Sequence, residues 1–281
     1  MAGGRFYFVA DLHLGADSDP GGVREKAFVD YLHALPADAE ALFLLGDIFD
    51  FWLDYRHVVP RGGVRTLAAL ADVAQRMDVW FFRGNHDWWV TDYFEKELGV
   101  HIVREPFRIM DLGGRKVCMG HGDTLGCRDA KSKLIYHVFR NRACIAFLRA
   151  LPPRWVFRFA HAWSSSSRRR HPEPTPFAGK EAGLYQFVNE YGRGRDIDLY
   201  IFGHWHAPAR LPVETGGELI ILGAWSGPAD TFVLYPVVSL RSGISCRSQK
   251  NARATKYHPL RLRHARLDPY VMPGLTGHLP A

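Results

Sequence analysis

An α/β fold of two sheets packed face to face, each covered by helices, is what this sequence predicts, and three observations carry it. Short apolar runs recur along the chain, each ending at a glycine or directly at Asp, Asn or His. In the first hundred residues these runs alternate with segments of helical spacing. Farther on they crowd together, except where an aromatic, Arg-rich helical stretch interrupts them.

Tyr7-Phe8-Val9-Ala10 runs into Asp11-Leu12-His13, and in extended chain a spacing of two puts Asp11 and His13 on one side. Val23 to Leu35 has helical spacing and crosses back over the sheet. Ala41 to Leu45 is a continuous apolar run, the pattern of a strand covered on both faces, and Gly46-Asp47-Ile48-Phe49-Asp50 follows it. A carboxylate in that place sits where open α/β sheets bind ligands, at the carboxyl ends of strands. Gly62-Gly63 precedes a second helix, Val64 to Met77, and Val79 to Phe82 then runs into Gly84-Asn85-His86-Asp87. This alternation argues for a parallel sheet with right-handed crossovers.

From Val100 the closer spacing of Val100–Val103, Phe107–Leu112 and Lys116–Gly120 predicts hairpins, with Gly113-Gly114 as one turn. The third of these strands ends in Gly120-His121-Gly122-Asp123. Leu199 to Phe202 ends in Gly203-His204-Trp205-His206, and strands follow at Arg210–Val213, Glu218–Leu222 and Thr231–Tyr235. A single Asp or His after a strand is usually a turn cap or a loop residue. Five such endings in one chain read as one site.

Between Thr124 and Phe177 the β pattern stops. Leu134/Val138, Ile135/Phe139 and Phe147/Leu151 pair at i, i+4; Trp155, Phe159 and Trp163 continue the spacing after Pro152-Pro153. This predicts a helical hairpin that ends in a loop at Ser164–Ser167 and Arg168-Arg169-Arg170. Residues 127–171 hold eleven Lys/Arg against one Asp, and residues 241–281 hold eight against one, within a net charge of +7. An acidic body therefore carries two basic segments. The insertion reads as a helical pair with a solvated face, as a nucleic-acid surface, or as a basic amphipathic element for a membrane surface.

The 281 residues, 47% of them apolar, allow one large domain or two small ones. We expect one domain over 1–240, with the insertion at about 125–177, and a basic, disordered tail over 241–281. Strand one begins almost at once, which argues against a signal peptide, and no apolar stretch approaches membrane-helix length. Cys118, Cys127, Cys144 and Cys246 have no zinc-like spacing and read as free thiols of a reducing cytosol.

Asp-x-His, Gly-Asp-x-x-Asp, Gly-Asn-His-Asp, Gly-His-Gly-Asp and Gly-His-x-His, in this order from Phe6 to Tyr235, resemble the calcineurin-like metallophosphoesterases. The resemblance implies a four-layer αββα sandwich and two divalent cations. One would be held by Asp11, His13, Asp47 and His206, the other by Asp47, Asn85, His121 and His204, with Asp47 bridging. A mixed imidazole, carboxylate and amide set without thiolate suits Mn²⁺ first, with Fe or Zn²⁺ compatible. Two cations about 3.5–4 Å apart need a shared anionic ligand and clamp the oxygens of a phosphoryl group. By the same resemblance His86 contacts the scissile phosphate as charge stabiliser or general acid, and Asp87 is expected to hydrogen-bond its far nitrogen.

Ala10 to Gly15, Gly46 to Trp52, His121 to Leu125 and Leu222 to Trp225 are most similar to the UDP-2,3-diacylglucosamine pyrophosphatases of lipid A biosynthesis. In those enzymes an equivalent helical insertion caps the site and receives acyl chains. The resemblance implies cleavage of that lipid nucleotide to UMP and a lipid sugar 1-phosphate, at the cytoplasmic face of the inner membrane, with Asp123 and Lys180 as substrate contacts. Nucleic acid is not an expected partner. A broad phosphodiesterase or phosphoprotein phosphatase is the alternative of the same chemistry. A non-catalytic scaffold or nucleic-acid-binding protein is the alternative of another class.

Overall fold

A computed structural model describes residues 4–236 apart from 17–18, 20, 127–129 and 171–175. The chain divides into a unit of Met1–Ser239 and one of Leu240–Ala281. The basic tail expected to be disordered lies outside the described residues.

The first sheet holds β1 (Arg5–Val9), β2 (Ala39–Leu45), β3 (Asp78–Phe82) and β4 (His101–Val103) in parallel, and β10 (Phe232–Leu234) runs antiparallel on the free edge of β1. The crossovers are α1 (Val23–His33), α2 (Val64–Ala74) and the short α3 (Tyr93–Leu98). The second sheet has the order β5 (Phe107–Leu112), β6 (Arg115–Gly120), β7 (Leu199–Phe202), β9 (Glu218–Ile221), β8 (Ala209–Pro212). Within it β6, β7 and β9 are parallel, and α7 (Gly183–Gly192) crosses over before β7.

Strand alternation assigns every layer. Tyr7, Val9, Leu42, Leu44, Val79 and Phe81 face the helices and pack with Phe28, Leu32, Leu67, Leu70 and Phe94. Their neighbours Phe6, Phe8, Ala41, Phe43 and Leu45 point the other way, onto Val117, Met119, Leu199, Ile201 and Ile220 of the second sheet. The far face of that sheet puts Cys118, Tyr200, Phe202 and Leu219 on Leu184, Tyr185 and Val188 of α7. The result is helix, sheet, sheet, helix, as expected.

Two local expectations are corrected. β4 does not form a hairpin with β5: it pairs in parallel with β3, so the short link at Arg104–Pro106 passes from one sheet to the other. The insertion is three helices rather than a hairpin: α4 (Ala130–Arg140), α5 (Arg142–Ala150) and α6 (Pro153–Arg170). Pro153 opens α6, where its missing N–H costs nothing. The Ser164–Ser167 run continues the helix instead of ending it.

The inter-sheet core fixes how the two sets of strand ends face each other. Phe43 has no exposed surface, and its ring stacks on that of Phe8 at 4.8 Å. Phe43→Ala is expected to cost about 3–5 kcal/mol of unfolding free energy, read by urea denaturation.

Candidate metal centre

The backbone marks the site before any side chain does. Among the described residues, positive φ outside glycine occurs at Asp11 (55°), His13 (48°), Asp47 (52°), His204 (77°) and His206 (57°). Left-handed backbone costs an L-residue roughly 1–2 kcal/mol, and it persists only where its surroundings over-determine it. Here the turns that follow β1, β2 and β7 hold one another. Asp11 and His13 N–H donate to the carbonyls of Gly46 (3.1 Å) and Asp47 (2.9 Å), and Gly203 N–H donates to His121 O (3.0 Å).

Asp87 is the pin of this arrangement. Its carboxylate accepts the backbone N–H groups of Gly84 (2.8 Å), Asp47 (3.2 Å), Ile48 (2.7 Å) and Phe49 (3.3 Å). Burial, and then the neighbouring Asp47 charge, push its pKa up to about 7, against the pull of those amides. The expected hydrogen bond from Asp87 to His86 is therefore corrected. His86 Nδ1 donates instead to the carbonyl oxygen of Asp50 at 2.9 Å. Two glycines make the approach possible. A Cβ on Gly46 (φ 85°) would lie 2.6 Å from His121 Nδ1, and one on Gly84 would collide with the Asp47 carboxylate.

The seven side chains singled out by sequence converge. Donor atoms of Asp11, His13, Asp47 and His206 lie within 4.8 Å of one another. His13 Nε2 faces His206 Nε2 at 3.0 Å, and Asp11 Oδ1 is buried without a hydrogen bond, 3.4 Å from His206 Nε2. On the other side, His121 Nε2 faces Asn85 Oδ1 at 3.2 Å. Asp47 Oδ2 lies between the two groups, 3.7 Å from His13 Nε2 and 3.5 Å from His121 Nε2. The His204 ring lies 5.1 Å from that of His121.

Acceptors facing acceptors is the chemistry of a cation site. His121 Nδ1 donates to Leu45 O at 2.9 Å, which aims its Nε2 at Asn85 Oδ1 and Asp47 Oδ2; burial would lower the pKa of this ring, yet the Asp47 carboxylate raises it well above the usual value, so these groups call for a positive charge between them, a proton or a metal ion. Asp11 Oδ1 is in the same position of need. Burial alone would favour protonating Asp47, yet the imidazoles of His121, His86 and His13 outweigh it and hold the carboxyl well below the usual range. Burial, aided by His121, pushes His204 down to about 4, which leaves its lone pair available. A hard-to-borderline divalent ion with mixed N/O ligands fits this donor set.

The substrate-contact expectations divide. Asp123 is half-buried beside the cluster; burial raises its pKa, while His121 and Arg140 of α4 pull it down. Lys180 is exposed and pairs with Glu214 Oε1 at 3.0 Å, on the turn between β8 and β9. Its ammonium is held by that carboxylate here. Asp50 went without a role in the sequence, although its place three residues after Asp47 was visible. His161 and Ser164, which meet Asp50 from α6, carried no sequence signal at all.

The strain at these positions has a measurable consequence. His206 is the most open of the strained group, its side chain 37% exposed. His206→Gly is expected to unfold about 1 kcal/mol less readily than His206→Ala in metal-free protein, because glycine adopts φ 57° without penalty. Chemical denaturation of the two variants side by side checks it.

Comparison with known proteins covers the stretch that holds these turns. Residues 4–208 fit the model of the calcineurin-like phosphoesterase family. A UDP-2,3-diacylglucosamine hydrolase of Porphyromonas gingivalis is 33% identical over 239 residues, 79% of this chain and 90% of that protein. Proteins of the same name from Pseudomonas aeruginosa (30% identical; 78% and 90% of the two chains) and Actinobacillus succinogenes (29%; 82% and 95%) are also similar. A match across most of the chain means that this protein belongs to the calcineurin-like phosphoesterases and is a metal-dependent hydrolase.

Proposed function

We propose that this protein hydrolyses the pyrophosphate of UDP-2,3-diacylglucosamine to UMP and the acylated sugar 1-phosphate. Asp11, His13, Asp47 and His206 would hold one divalent cation, and Asp47, Asn85, His121 and His204 the other, with Mn²⁺ the first choice and Fe or Zn²⁺ compatible. Such a pair supplies Lewis-acid polarisation of a phosphoryl oxygen and acidifies water. His86, its ring fixed by the Nδ1–H bond to Asp50 O, keeps Nε2 for the phosphate or the leaving oxygen. Asp87 contributes by holding the Asp47 turn in place. Residues 1–240 form the catalytic domain in this reading, with the insertion at about 125–177 as its substrate cap.

One observation carries the choice of substrate. A cavity of about 210 Å³ opens beside the cluster, with Asn85 and His86 at one side and Phe51, Trp89, Phe139, Leu148, Val156 and Phe159 around the rest. A phosphate held next to an apolar wall fits an acylated nucleotide and wastes its wall on a polar diester or a phosphoprotein. The three named hydrolases, matched over 90–95% of their own length, support the reading.

The cap also turns apolar groups outward. Phe147, Trp155, Phe159 and Trp163 are each at least half exposed, and the guanidinium groups of Arg154 and Arg158 lie 5.4 and 5.8 Å from the Trp155 ring. Aromatic rings with arginines alongside suit the boundary of an anionic bilayer, and we place the protein there, at the cytoplasmic face of the inner membrane. Among the described residues no helix is long and apolar enough to cross a membrane.

Mn²⁺-loaded protein is expected to release UMP from UDP-2,3-diacylglucosamine, and Asp47→Asn to lose at least about a thousandfold in kcat/KM while keeping its fold. Turnover of simple phosphodiesters without UMP release would replace this reading with a broad phosphodiesterase. Salt-sensitive nucleic-acid binding without turnover would move the protein to another class. In flotation with vesicles containing anionic lipid, Trp155→Ser with Phe147→Ser is expected to reduce the bound fraction severalfold.

A further inference from the structure

Asp50 is 2% exposed, and the groups around it come from two separate parts of the fold. From the strand-end turns, the Nδ1 atoms of His13 and His86 lie 3.6 and 3.7 Å from its Oδ1. From the cap helix α6, Ser164 Oγ donates to the same Oδ1 at 2.8 Å, and His161 Nδ1 lies 3.8 Å from Oδ2. Ser164 is itself only 3% exposed, and 114 residues separate it from Asp50. Nothing in the reaction as described so far uses this contact.

Its geometry has a specific effect. The last torsion of an Asp side chain is broad and roughly two-fold, so a carboxylate left to itself turns readily. A hydroxyl donating to a carboxyl oxygen is strengthened by a buried, low-dielectric setting. With Ser164 bound to Oδ1, that oxygen stays between the two imidazoles. The same turn of α6 supplies Phe159, Ala160, Trp163 and Ser164 to the apolar cavity. What occupies the cavity therefore leans on the helix that grips Asp50.

We propose that Ser164 is a positioning residue of the hydrolysis: by holding the Asp50 carboxylate from the cap, it sets the ring of His13, whose Nδ1 faces the same oxygen. The cap is then part of the reaction centre and not only a cover for the substrate. The inference rests on the reading of the insertion as a substrate cap, and its test separates the two.

The variant is Ser164→Ala, assayed with Mn²⁺ on UDP-2,3-diacylglucosamine and on bis(p-nitrophenyl) phosphate, a diester without acyl chains. Long-range ¹H–¹⁵N spectra of the histidine rings are recorded on metal-free protein, with a thermal melt as the folding control. The expected result is a fall of kcat on the small diester of about tenfold at unchanged KM, as loss of one strong hydrogen bond implies. The His13 ring signals shift, while those of His33 on the surface of α1 do not. Unchanged ring signals, with a raised KM for the acylated substrate alone, would overturn the proposal and leave Ser164 as cavity wall. Should Ser164→Ala fail to fold, Ser164→Cys carries the same comparison, keeping the volume and weakening the donor. If the parent cleaves the diester but not the UDP-sugar, the substrate reading fails, and the diester kinetics and ring spectra still decide the role of Ser164.

Discussion

The architecture depends on keeping one carboxylate, Asp47, ionised where water does not reach. It is 1% exposed and ends a strand buried on both faces. A lone ion in that place would cost several kcal/mol or take up a proton. Three imidazoles from different strand ends offset the cost electrostatically, and the His86 N–H bonds Oδ1 at 2.9 Å. Oδ2 is left facing both His13 and His121. Every element of the two sheets that matters to function is there to bring one of those groups within reach. The two-sheet sandwich is a way of aiming five strand ends at one oxygen.

Aiming them requires turns sharper than L-residues prefer, and the strain is placed where a side chain cannot be exchanged for glycine. Asp11, His13, Asp47, His204 and His206 carry it. Glycines take the positions beside them, Gly46 and Gly84, where the need is for space. Asp87 holds the strain in place by collecting four amides that the left-handed turn leaves without partners. Its own burial is the cost, visible in a pKa pushed up to about 7.

The sheets and the seven convergent groups were legible because strand alternation and glycine-terminated apolar runs are local signals. What was misread was not local. Asp87 follows His86 in sequence, and adjacency argued for a bond between them; in a tight turn neighbouring side chains point apart, and the carbonyl of Asp50 accepts the His86 Nδ1–H bond instead. β4 looked like half of a hairpin because only Arg104–Pro106 separates it from β5. The six-residue α3, too short to show a period, had already returned the chain to the edge of the first sheet. The serines of α6 favour turns by composition. Ser164 remains helical with its hydroxyl committed to Asp50 across 114 residues of sequence.

The helical insertion proposed as a cap differs from the body in how it is held. α5 has no buried residue, and the apolar cluster joining the insertion to the sandwich has three fully buried members, Leu53, Trp89 and Val156, of which only Val156 belongs to the cap. Apolar packing this thin gives a segment of low local stability, free to admit a bulky substrate, but it does not specify a position to a fraction of an ångström. Directional contacts do that: Trp89 Nε1 to Phe139 O at 3.0 Å, Arg149 to Thr91 Oγ1 at 2.9 Å, and Ser164 to Asp50. Each joins a cap helix to the stretch between Asp50 and Thr91 that also carries Asn85 and His86. An element so thinly packed yet registered by hydrogen bonds suits the proposed role of a substrate cap, which would exclude water around a charged reaction.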